Sequence, residues 1–161
     1  MKSLVKRVLT LSLTAMFFNQ ITFALEDDLQ KAILISITAN RFQAERIKIA
    51  AENIANQDVT STIPGGNPYT RKIIFAKNIY DKTKDTYLLK VSKIDFDKND
   101  FIIKYSPNHP AADQNGNVKY PNINYLIEKA DADEGKQSYE ANLSIIETTN
   151  NMIQKTIEAI K

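Results

Sequence analysis

Two stretches of this chain repeat their apolar residues at alternating steps of four and three. Near the front the series is Ile33, Ile37, Asn40, Ala44, Ile47, Ala51 and Ile54; at the back it is Tyr139, Leu143, Ile146, Asn150, Ile153, Ile157 and Ile160. A 4-3 step holds every member on one narrow helical stripe, the seam along which helices pack. Each seam is interrupted once by an amide, Asn40 or Asn150. A buried polar side chain at such a position fixes register and partner number at a cost in stability. The bland alternative is an amide at the seam edge that bonds water.

From Leu29 to Asn56 there is neither proline nor glycine, and Glu26, Asp27 and Asp28 suit the positive end of a helix dipole. The pattern therefore predicts an N-terminal assembly helix within 25–60. Ile35, Ala39, Phe42 and Ile49 form a second stripe on it, so this helix calls for several neighbours. Ile63-Pro64-Gly65-Gly66-Asn67-Pro68 breaks it. The period then changes. Residues 69–75, 86–96 and 101–105 are rich in β-branched and aromatic side chains separated by polar turns, which predicts a small antiparallel sheet. Asp95, Asp97 and Asp100, interleaved with lysines, read as a solvated hairpin. Residues 106–124, with three prolines and Asn115-Gly116, read as a long irregular loop of the kind that is functional or ordered by a partner. Residues 61–125 thus form a small β-rich domain.

A second assembly helix is predicted over 126–161. Its first turns hold Lys129, Asp131, Asp133, Glu134 and Gly135, almost without apolar seam, so a frayed or kinked start is expected before a firm run from Tyr139. The fold class is α+β: long terminal helices in an antiparallel, coiled-coil-like pair, with the β-rich domain between. For both ends to meet, Ile33 should lie near Ile160 and Ile54 near Tyr139. One helix pair is a small core for so many ordered residues, so the ends are expected to be loose in a free monomer and to order on packing.

Composition narrows the chemistry. The chain has 161 residues, no cysteine, no tryptophan and one histidine. That removes disulfides, thiolate metal sites and any multi-histidine zinc site. Lys2, Lys6 and Arg7, an apolar run from Val8 to Phe18 and the small residues of Thr22-Phe23-Ala24 have the layout of a Sec-type signal peptide over 1–24. An uncleaved N-terminal anchor is the alternative, and the only route to a membrane. Cleavage leaves 18 Lys and Arg against 19 Asp and Glu, a net charge of −1. No basic footprint for nucleic acid is present. No catalytic, cofactor-binding or metal-ligating set, and no small-molecule substrate, is indicated. His109 has no Ser or Cys partner motif, and Asp113-Gln114-Asn115-Gly116-Asn117 has the wrong spacing for a calcium loop, leaving a plain Asn-Gly turn.

Particular residues are more specific. Ala51-Glu52-Asn53-Ile54-Ala55-Asn56 resembles the signature that closes the first helix of bacterial flagellar axial proteins. The block Tyr105-Ser106-Pro107-Asn108-His109-Pro110, then Ala112-Asp113, Gly116 and Val118 through Pro121, Asn122 and Asn124, is similar to the central block of that family's proximal-rod members. Tyr139-Glu140-Ala141-Asn142 matches an element of their C-terminal helix. The three occur in family order over nearly all of 25–161. The resemblance implies a structural subunit, not an enzyme, of the basal-body rod in the periplasm, polymerising with itself and other rod subunits through its terminal helices. It implies contacts across subunits for Asn53 and Asn56, with helix-end capping as the simpler reading, and a loop-shaping role for His109. Family members begin near where Leu25 stands and carry no cleavable signal, so the extension implies a different export route, an uncleaved anchor or an artefact of start-codon choice. A secreted relative acting as a periplasmic or membrane-associated helical binding module is the alternative; a hydrolase has no acid-base constellation behind it.

Overall fold

The computed structural model describes the backbone of residues 2–160 and the side chains of residues 27–159. The expected signal peptide and the seam position Ile160 fall outside the side chains so described. The elements are α1 (Lys2–Ala55), β1 (Lys72–Asp81), β2 (Thr86–Phe96), β3 (Ile102–Tyr105), β4 (Asn117–Tyr120) and α2 (Tyr125–Ile160). β1 and β2 form one two-stranded antiparallel sheet, β3 and β4 another. The α+β class is as the sequence implies, with long helices bracketing small antiparallel sheets.

The first strand differs from expectation. It starts at Lys72 rather than Tyr69 and continues to Asp81, because β2 supplies a paired partner along its whole length. A bulge between Phe75 and Ala76, opposite Ser92, keeps cross-strand pairs on common faces. Ile79 and Leu88 sit opposite each other and Leu88 is buried, so this ribbon packs along α1, and Lys31 midway along that helix reaches Asp85 at the hairpin tip.

The stretch 106–124 is not irregular. Asn117–Tyr120 pairs with β3 in register Ile102↔Tyr120 to Tyr105↔Asn117, a strand too short for period-2 alternation to announce. Its loop is tied internally. Asp113 Oδ1 accepts the amides of Asn115 and Asn117, each at 2.8 Å, and the Asp113 amide donates to the Asn117 carbonyl. Gly116 has φ +78°, and a Cβ there would stand 2.8 Å from the Tyr105 ring. The Gly65 amide donates to the Ala111 carbonyl, so the 57–68 turn packs against this loop, with Val118 and Pro121 buried beneath.

The two helices run antiparallel. Asn53 meets Glu128, Arg46 meets Asp131, Ile47 lies over Gly135, and Ile37 and Asn40 share a groove with Tyr139, Leu143 and Ile146. This register is about three turns away from the expected one. Ile54 is level with Glu128, and Tyr139 faces the Asn40–Ala44 turn. Two things set it. Gly135 is buried against the Ile47 side chain, a Cβ there falling 3.0 Å from Ile47 Cγ1. The acidic residues of the first α2 turns find arginines on α1.

Candidate functional site

The start of α2, expected to fray, is its best-anchored part. Asn124 caps it: its Oδ1 accepts the Leu126 amide at 3.0 Å and its carbonyl accepts the Glu128 amide. Glu128 then points inward, its side chain 2% exposed. Its Oε2 accepts from Asn53 Nδ2 at 2.9 Å, and its Oε1 accepts from Arg71 Nε at 2.7 Å. Arg71 also reaches Asp97, whose side chain is largely covered, so Asp97 is an anchor and not part of a solvated hairpin. Burial, the largest single influence, would lower the Arg71 guanidinium pKa; the hydrogen bonds and charges of Glu128 and Asp97 together outweigh it and raise the pKa.

Asn53 is fully buried and uses its whole amide. Nδ2 also donates to the Lys72 carbonyl at 2.9 Å; Oδ1 accepts the Lys72 amide at 2.9 Å and the Tyr69 hydroxyl at 3.1 Å. Burial raises the Tyr69 pKa. Asn56 donates Nδ2 to the Glu52 carbonyl at 2.7 Å, closing the end of α1. Asn53 is therefore satisfied inside the chain, which corrects its expected cross-subunit contact, while Asn56 makes the end-capping bond of the simpler reading. Asn53 joins α1, β1 and α2; Asn56 is a cap. Further along, Arg46 binds Asp131 through Nε at 3.0 Å and Glu134 through its terminal nitrogen at 3.0 Å. The hydrogen bond to Asp131 raises the Arg46 pKa against its partial burial.

The inward rows are rotated by only part of a position from the expected seams: Asn40, Ile47, Tyr139, Ile146 and Ile153 stay in them, and the members between give way to the residue before. On α1 the inward row is Ser36, Asn40, Gln43 and Ile47, while Ile37, Ala44 and Ala51 are exposed and Ile33 and Ile54 half-buried. On α2 the inward row runs Gly135, Tyr139, Asn142, Ile146, Thr149 and Ile153, while Leu143, Asn150 and Ile157 are exposed. Small and polar side chains thus line much of the internal contact, and larger aliphatic ones face out: Leu143 is 45% exposed and Ile157 49%. The two amides part company, with Asn40 buried and Asn150 exposed.

The central block builds the second hairpin. His109 Nδ1 accepts the Ala111 amide at 3.1 Å and its ring lies 6.4 Å from that of Tyr120, a loop-shaping arrangement. Pro107 and Pro110 are exposed, Asp113 and Asn122 half-buried, Pro121 buried, and Ala55 exposed at the end of α1. Sequence reasoning missed Arg46, Tyr69, Arg71, Lys72, Glu128 and Asp131. The available signal was the acidic start of α2 opposite a basic α1 and β1, which pattern-matching for apolar residues discards. Among the described residues no group of three or more His, Asp or Glu side chains converges as a metal site would require.

No family model matches the chain. Individual proteins do. The chain is 41% identical over 135 residues to the flagellar basal-body rod protein FlgC of Agrobacterium fabrum, a match covering 84% of this chain and 97% of that relative. It is 33% identical over 147 residues to the FlgC of Borreliella burgdorferi, covering 81% and 96%. Against the FlgC of Salmonella typhimurium it is 32% identical over 115 residues, covering 71% and 85%.

Proposed function

Because the chain belongs to the FlgC family of flagellar basal-body rod proteins, we propose that its terminal helices build that rod through their outward aliphatic flanks. The chain is a structural protein of the flagellar basal body, not an enzyme, and assembles with other rod subunits across the periplasm. The observation carrying the proposal is the rotation of the seams. A helix pair meant to stand alone would turn Leu143 and Ile157 inward; this one places Ser36, Asn40, Asn142 and Thr149 beside Ile47, Ile146 and Ile153 on the inner face and leaves Leu143 and Ile157 exposed for neighbours. Helices within 25–60 and 126–161 pack in the 4-3, coiled-coil manner, and the β-rich region 61–125 is carried on them through the Asn53–Glu128–Arg71 anchor. Residues 1–24 act as a signal peptide cleaved after Ala24, delivering the chain by the Sec route.

Intact-mass measurement of the native chain in purified basal bodies tests this. A chain beginning at Leu25 and co-purifying with the rod is expected. A full-length chain confined to the membrane fraction would refute the delivery route and the assembly role together.

A further inference from the structure

The turn before β4 requires a glycine at 116, and the residue ahead of it, Asn115, is exposed. With φ +78° and the Tyr105 ring 2.8 Å from where a Cβ would stand, no other side chain fits there without strain. This is the one Asn-Gly pair in the chain, and glycine leaves its own backbone nitrogen unshielded. Such a nitrogen can attack the amide before it. Gly116 N gives its proton to hydroxide and bonds to Asn115 Cγ; the Cγ–Nδ2 bond breaks, and ammonia leaves with a proton taken from water. Water then adds to either carbonyl of the cyclic imide and reopens it. The product is aspartate or, with the main chain rerouted through the side chain, isoaspartate. Nothing is oxidised or reduced.

The folded turn opposes that step. The Gly116 N–H donates to the Asp113 carbonyl at 3.0 Å, which ties up the proton that must leave. Asp113 Oδ1 holds the Asn115 and Asn117 amides at 2.8 Å each, and the Asp113 N–H donates to the Asn117 carbonyl at 2.9 Å. Four hydrogen bonds thus centre on Asp113, and the backbone is not free to carry Gly116 N onto Asn115 Cγ until they open. We propose that Asn115 is a site of spontaneous deamidation and that Asp113 is the positioning residue that sets its rate, holding the turn closed so that the reaction runs only from a locally opened state. The product bears on the fold. Isoaspartate lengthens the main chain between Asp113 and Asn117, and it displaces the Gly116 carbonyl from the Ser106 N–H that it accepts at 2.8 Å where the β3–β4 hairpin closes.

Asn99 supplies an internal reference. It too is exposed, and its amide is likewise held by an aspartate, Asp97 Oδ1 at 3.0 Å, but aspartate and not glycine follows it. The test is to hold the purified native chain at mildly alkaline pH and follow both asparagines by peptide mapping that separates asparagine, aspartate and isoaspartate. In the folded chain Asn115 should react no faster than Asn99; in urea it should outpace Asn99 many-fold. Asp113→Ala, which loses two of the four bonds, should raise the rate at Asn115 about tenfold and leave Asn99 unchanged. Asp113→Asn keeps an acceptor oxygen and should stay near the native rate. Equal rates at Asn115 in the folded and the urea-unfolded chain overturn the inference, as does an unchanged rate in a folded Asp113→Ala variant. Should that variant unfold, Asn99 accelerates with Asn115, and the comparison of folded with urea-unfolded native chain decides alone.

Discussion

Replacing Asn53 by alanine removes the one residue that bonds α1 to both β1 and α2. The side chain makes four hydrogen bonds while fully buried. Its loss strands the Lys72 amide and carbonyl and the Tyr69 hydroxyl, and deprives the Glu128 carboxylate of one donor. Taking about 1 kcal/mol for each neutral group and about 2 for the charged one gives roughly 3–5 kcal/mol, allowing for non-additivity. That is a large part of the roughly 5–15 kcal/mol available to a domain of this size. With a urea slope near 1.5–2 kcal/mol per molar, the unfolding midpoint of the 25–161 chain should fall by about 2 M. Asn56→Ala is the control, since it removes a single bond at a helix end and should cost about 1 kcal/mol or less. Asn53→Asp should also be severe, because it sets a second carboxylate against Glu128. The reasoning fails if Asn53→Ala and Asn56→Ala unfold at the same urea concentration. A loss of assembly with monomer stability unchanged would return Asn53 to the subunit boundary.

Other outcomes follow from the same geometry. Gly116→Ala forces a side chain into the left-handed region against the Tyr105 ring and should cost about 1–3 kcal/mol by chemical denaturation. Gly135→Ala should be nearly neutral, better helix propensity offsetting a small shift of Ile47. Gly135→Leu should prise the helices apart and cost about 1–3 kcal/mol. Acid should destabilise the fold: hydrogen bonds from Lys72 and Lys93 hold the Glu52 and Asp95 pKa values below the ordinary carboxylate values. Their contribution is present above the unfolded values and lost as pH falls through the lower folded ones, a decline that salt should blunt in thermal melts from pH 5 to 2. At the alkaline end burial holds the Tyr69 pKa above 10.0. Its contribution is present below the unfolded value and lost as pH rises through the folded one, which absorbance titration of the tyrosines can follow.

The long helices were legible because proline is missing from 29–56 and from 126–161, glycine interrupts them only at Gly135, and the 4-3 spacing runs on through each. The exact face was not. The expected stripe is the more apolar one, so apolar content points away from the observed face, where Gly135 leaves room for Ile47 in a way that matters only once the helices pack. Register was hidden for a related reason: Glu128 and Asp131 read as interruptions until Arg71 and Arg46 stand opposite. Strand β4 escaped notice because four residues cannot display alternation, while the adjoining motif residues Tyr105, Asp113 and Gly116 were visible as a block before their turn-making role was. Asn53 shows the limit most clearly. Its importance could be read from the motif, but its partners lie 16 to 75 residues away and no local spacing encodes them.

Arg71 gives the molecule a load path. It leaves the chain at the foot of the β1–β2 ribbon and is tied to Glu128 in the helix pair and Asp97 at the ribbon's far strand, while the neighbouring Lys72 backbone is held by Asn53. A sideways pull on the ribbon is therefore shared by several short links acting in parallel, and the turn at 57–68 carries little of it. Parallel links stretch together, so the ribbon turns with the helices as one stiff piece. In a rotating shaft, that means the outer part of each subunit keeps step with the inner part instead of trailing behind it.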